Sequence, residues 1–170
     1  GLKNDVESVR KKKIRDYNAG VSRQARNDAM GIGDRINADG IKNIKARAAE
    51  EAIIGLMLIY DEYRAAVMSG KVELEKEDFF SEFYSKVFSH ICELESGGEY
   101  DFSLLGQFFS PEEIGRLEGL MQKRRELAEN GFDVFLQCAE ALKKEKKLSG
   151  EDTVDDIRRL LESKRMANKK

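Results

Sequence analysis

The spacing of apolar residues along this chain changes several times, and each change marks an element. In DFFSEFYSKVFSHICEL, Phe80, Phe83, Tyr84, Val87, Phe88 and Ile91 recur every three or four residues, which is one face of an α-helix. Just upstream, Ile53, Ile54, Leu56, Met57, Leu58 and Ile59 follow the helix formers Ala46, Ala48, Ala49, Glu50, Glu51 and Ala52. A helix apolar on nearly every side must be surrounded, so 43–60 is expected at the centre of a bundle. Asp61 restarts a short helix, DEYRAAVMSG, which Gly70 can close as a left-handed cap. Gly97–Gly98 end the aromatic helix, and DFSLLGQFF (101–109) reads as a short helix or turn with Asp101 as its cap. In SPEEIGRLEGLMQKRREL, Ser110 is the N-cap, Pro111 the first helical residue, and Glu112–Glu113 the acidic first turn. Ile114, Leu117, Leu120 and Met121 line its inner side.

The two ends of the chain pattern differently. After the break at Asn130–Gly131, residues 132–148 put Phe135, Cys138/Ala139 and Leu142 on one stripe, with lysines crowding the last turns. SGEDT (149–153) reads as a turn and cap, and TVDDIRRLLESKRM turns Val154, Ile157, Leu160 and Leu161 one way. Two helices joined by a few polar residues predict an antiparallel hairpin. At the front, 6–17 scatters Val6, Val9, Ile14 and Tyr17 among charges, an exposed helix. Residues 19–40 are rich in Gly, Asn, Asp and Ser, the composition of a linker or of a loop pinned on something else. No strand is predicted. The expected fold is all-α: a basic lead-in helix and linker (1–43), a helical bundle (44–128) and a C-terminal helical hairpin (129–170).

Composition agrees, with one proline, no tryptophan and 36% charged residues in 170. It adds one thing, a charge split hidden under a net −2. Residues 1–48 hold twelve Lys/Arg against six Asp/Glu, whereas 49–102 hold four against thirteen. A basic lead-in of this kind suits weak nucleic-acid contact as well as solvation. Cys92 and Cys138 have no ligand spacing, so no structural zinc is expected, and sparse cysteine fits a reducing cytoplasm. The longest apolar run, 52–60, is about half of a membrane span, and no signal peptide is visible. The opening GLKND, without methionine, suggests a piece of a longer protein.

Candidate chemistry is thin. Gly31-Ile32-Gly33 has no preceding strand, no third glycine and no following Lys-Ser/Thr, so it does not read as a phosphate loop. His90 stands alone, without a nucleophile or second ligand in spacing, and suits a structural or surface role. EKED (75–78) and EDTVDD (151–156) read as acidic helix starts, and the phenylalanine stripe as core. No catalytic, cofactor-binding or metal-binding set emerges. A partner-binding module is the default expectation.

IGDRIN, KNIKARAAEEAIIGLML, EDFFSEFYSKVFSHICEL, SPEEIGRLEGLMQKRREL and the Lys-rich C-terminal segment together resemble the helicase-binding C-terminal domain of bacterial DnaG-type DNA primases. The likeness covers about 26–166. It implies a bundle followed by a hairpin that docks onto the N-terminal collar of the hexameric replicative DNA helicase. That docking would tether primer synthesis to the replication fork in the bacterial cytoplasm. The family's zinc-binding and metal-dependent catalytic regions have no counterpart here. The parent would be a DNA primase, a transferase of the nucleotidyltransferase class (DNA-directed RNA polymerase), but this segment is expected to form no bond and to need no cofactor. Gly31–Asn37 would then be the end of a connection rather than a phosphate cradle.

Ile157 and Leu161, one turn apart, are expected either to straddle the hairpin seam and a partner groove or merely to close the hairpin. Arg158 and Arg165 would meet acidic residues at the rim, and Met166 is a further candidate contact. Two other classes fit the same sequence. One is the N-terminal domain of the helicase itself, which shares the fold and self-assembles into a collar. The other is a nucleic-acid-binding adaptor using the basic arm. A monomer is expected in isolation, with hairpin swapping between copies as the alternative.

Overall fold

The computed structural model describes the backbone of residues 2–168, with side-chain surroundings given for all of these except 2, 29–30 and 151–156. The described residues are helical or looped, without a strand, as the pattern requires. Six α-helices follow in order: α1 Leu2–Met30, α2 Ile44–Ile59, α3 Asp61–Met68, α4 Glu82–Ser96, α5 Pro111–Glu126 and α6 Phe132–Ala167. Short 3-10 turns at Ala38–Ile41, Lys76–Asp78 and Phe102–Gln107 join them.

Helix α2 is the hub, packed by α3, α4, α5 and the first half of α6. Its second half is buried on most sides because residues 52–59 carry no polar side chain: Ile53, Ile54, Leu56 and Met57 are fully enclosed. Around them close Tyr84, Val87 and Ile91 of α4, Leu117 of α5, and Phe135 and Leu142 of α6. Close approach of α5 depends on Gly55, where a methyl group would lie 2.8 Å from Arg124 Cγ and 3.2 Å from the Leu120 carbonyl.

The starts and stops follow local chemistry. Asn43 caps α2 through the Ala46 N–H, Ser81 caps α4 through the Tyr84 N–H, and Asp101 accepts from the Ser103 N–H. Ser110 and Glu113 form a reciprocal capping box at α5, behind Pro111. Gly70 and Gly98 take the left-handed conformation after α3 and α4. The acidic cluster 75–78 is a capping box on its own 3-10 turn.

Two expectations need correction. Residues 19–30, linker-like in composition, continue α1 as helix to Met30. More consequentially, the described residues form no C-terminal hairpin. Residues 132–148 and 153–166 are both helical, but Ser149 and Gly150 stay in the right-handed conformation and join them into one 36-residue helix. A lone glycine costs a helix only about 1 kcal/mol. Strong helix formers flank it, and no proline or left-handed residue enforces a stop. EDTVDD (151–156) thus falls inside α6 rather than at a helix start, and its side chains lie outside the described residues.

Candidate partner-docking site

Two regions stand out, one where the lead-in meets the bundle and one where α6 leaves it. The first is built on Asp34. Its carboxylate is almost completely buried and accepts both Nη1 and Nη2 of Arg116 on α5, at 2.6 and 2.8 Å. The same Oδ1 accepts the N–H groups of Ile36 and Asn37 at 3.0 and 3.1 Å, bending the chain back on itself. Arg47 of α2 approaches the other oxygen at 3.8 Å and donates from Nε to Glu51 at 3.0 Å, while the Tyr84 hydroxyl donates to Glu51 at 3.2 Å. Burial pushes the Asp34 carboxyl upward, but the Arg116 guanidinium and the Asn37 and Ile36 N–H groups outweigh it and hold it below the usual carboxylate range.

Glycines make room for this contact. Gly31, with φ 75°, passes so close to the Arg47 guanidinium that a methyl group there would collide with it. Gly40 approaches Arg47 Cδ and the buried Asn37 amide, where a methyl group would come within 2.8 and 2.7 Å. Segment 31–40 is therefore pinned to α2 and α5, the second of the two roles its composition allows. It is held to the bundle through Asp34 and its bonds to Arg116. Sequence reasoning missed Asp34 as the anchor. Its placement just after Gly33 and three residues before Asn37 is the turn-like signal that was there to read.

A second buried carboxylate, Glu50 of α2, accepts the N–H of Ser81 at 3.0 Å and that of Phe80, so it helps cap α4. Burial raises it above the ordinary range, against the two N–H donors. Lys146 of α6 reaches the same corner, with Nζ 3.4 Å from the Phe79 carbonyl and 4.7 Å from the Phe80 ring centre. Past Lys146 no described residue of α6 belongs to the buried core.

Here lies the second region. Ile157 follows Ala139, and Leu160 follows Leu142, by about five whole turns. The stripe that α6 buries against α2 therefore runs on past the end of the bundle, where no described residue covers it. Ile157 is 54% exposed, Leu160 61% and Leu161 58%. Arg158 and Arg165 are exposed and flank the stripe on one side. Met166, 77% exposed, falls on the opposite side of the helix and does not join it. The expected seam of a hairpin is absent, so Ile157 and Leu161 cover no neighbouring helix. Leu160 belongs with them, one turn ahead of Lys164.

His90 is accounted for by packing: its ring stacks on Phe108 with centroids 4.0 Å apart and meets the edge of Phe109. Among the described residues, no three His, Cys, Asp or Glu side chains gather as a metal site, and no helix is long and apolar enough to cross a membrane. Cys92 and Cys138 are both unpaired thiols, half-buried, and burial pushes Cys92 up to about 11. Fold and surface together define an all-α bundle carrying an overhanging amphipathic helix. Comparison with protein families, with curated proteins and with solved structures gives no match to this chain.

Proposed function

We propose that this chain is a protein-docking module that works as the helicase-binding region of a bacterial primase, with the overhanging half of α6 as its docking element. The observation that carries the reading is the apolar stripe Ile157–Leu160–Leu161, which extends the core face of α6 beyond any core and is flanked by two exposed arginines. Apolar side chains held on a preformed helix suit insertion into a groove on another protein, since the helix need not be ordered at the moment of binding. The likeness of the GDRIN, AAEEAIIGLML and SPEEIGRLEGL segments to primase C-terminal domains supplies the kind of partner: the N-terminal domain of the hexameric replicative helicase. On this reading the segment positions a primer-forming enzyme and itself makes no bond.

The test is a calorimetric titration with that helicase domain. The double variant Arg158→Glu/Arg165→Glu is expected to weaken binding at least tenfold, about 1.4 kcal/mol, with helical circular dichroism unchanged. Leu160→Asp should weaken it further, because a buried anchor contributes more than a rim charge. An unaltered isotherm for both variants removes this face from the interface. Absence of any uptake, together with a stable ring of copies by light scattering, would favour the helicase-collar reading instead.

A further inference from the structure

Helix α1 is left out of that reading. Its 29 residues span about 43 Å and its described side chains are exposed almost from end to end. It carries eight Lys/Arg against four Asp/Glu. These charges are not spread evenly. At helical spacing Lys11, Lys12, Arg15, Arg23 and Arg26 fall within about one third of the circumference, with Asp5 and Asp16 at its margin. Val6, Ile14, Tyr17 and Val21 take the opposite side, interrupted by Lys3 and Arg10. Among the described residues of α1, Lys11 pairs with Glu7 of the same helix at 3.2 Å.

We infer that the basic side of α1 is a sequence-independent contact for the phosphodiester backbone of nucleic acid. Three features favour that partner. The cations are exposed, several turns apart and without a pocket, so they suit a ligand whose own charges repeat along a line. The two lysines and three arginines are charged groups on long flexible stems, which position a backbone but read no base. The opposite face holds four scattered apolar residues broken by Lys3 and Arg10, too polar a stripe for lying in a membrane interface. The strongly acidic composition of 49–102 keeps that part of the bundle from competing for the same ligand.

The experiment is fluorescence anisotropy of a labelled single-stranded oligonucleotide with the full 170-residue chain from 25 to 200 mM salt. Four to five backbone contacts predict that log K falls with log salt at a slope of about −3. The variant Lys11→Gln/Lys12→Gln/Arg15→Gln/Arg23→Gln/Arg26→Gln should bind at least tenfold more weakly at low salt and with a flatter slope. A control variant that neutralises Lys143, Lys144 and Lys147 of α6 should bind like the wild type, which separates a located surface from net charge. Circular dichroism reports whether α1 keeps its helix. Equal binding by the five-residue variant, or no salt-dependent binding at all, overturns the inference. So does equal competition by polyglutamate, which would make the surface one for acidic chains in general. Failure here leaves helicase uptake through α6 untouched, so the two readings fall separately.

Discussion

Asp34 and Glu50 are both carboxylates buried in one small bundle, and their surroundings push them in opposite directions. Asp34 has a charged partner at bonding distance on a neighbouring helix, so its ionised form is the stable one. A folded-state value below the unfolded one contributes stability at neutral pH that is lost as pH falls through the folded value. Asp34→Asn should therefore cost about 2 kcal/mol at pH 7, because Arg116 loses its bidentate partner, and the gap to wild type should shrink below about pH 4. Urea unfolding across that range checks it, and a gap constant with pH would deny the ion pair. Glu50 works the other way. Its raised value gives the fold a contribution present below the unfolded value and lost as pH rises through the folded one. Glu50→Gln keeps an oxygen for the Phe80 and Ser81 N–H groups without a buried charge. The variant should gain on wild type between pH 4 and 7, and the same unfolding series reads that gain.

At the scale of elements, glycine separates helices that touch from helices that do not. Gly55 lies where α5 crosses α2, so Gly55→Ala should destabilise by about 1 kcal/mol despite alanine's better propensity. Gly119→Ala on α5 meets open space and should stabilise by up to about 1 kcal/mol. Thermal melts of the two variants should move in opposite directions. The same contrast explains what the sequence disclosed. Caps at Ser110 and Asp101, the stops at Gly70 and Gly98, and the buried stripes of α4 and α5 are written within a turn or two of the residues concerned. They were therefore legible. The continuity of α6 was not, because Ser149–Gly150 has turn composition and only the weak cost of one glycine argues on either side. The pinning of 31–40 was legible only as one of two options, since the Asp34–Arg116 contact spans 82 residues and no local pattern announces it. That loss of the hairpin changed the candidate site: it freed Ile157 and Leu161 from a seam, brought Leu160 in beside them and set Met166 on the far side.

Across the whole molecule, stability and proposed docking reside in different stretches of chain. Every residue of the buried core among those described lies between Ala46 and Leu142, and the pinned segment extends that unit back only to Gly31. Among the described residues beyond Lys146 none belongs to the buried core, and Ile157, Leu160, Leu161 and Met166 are each more than half exposed. A chain ending at Gly150 should therefore unfold cooperatively, with a melting midpoint within about 4 °C of the full chain, the shift that roughly 1 kcal/mol produces. The same truncation should abolish uptake of the helicase domain if the overhang is the docking element. A large fall in the midpoint would mean that the stripe does fold back on its own bundle in solution, covering the surface proposed for a partner. Retained binding at an unchanged midpoint would instead move the interface onto the bundle, with α2, α4 and α5 as the next surfaces to test. Because hydrophobic burial is counted only where another surface closes over it, these two measurements together decide whether the exposed end of α6 is idle or is completed by another protein.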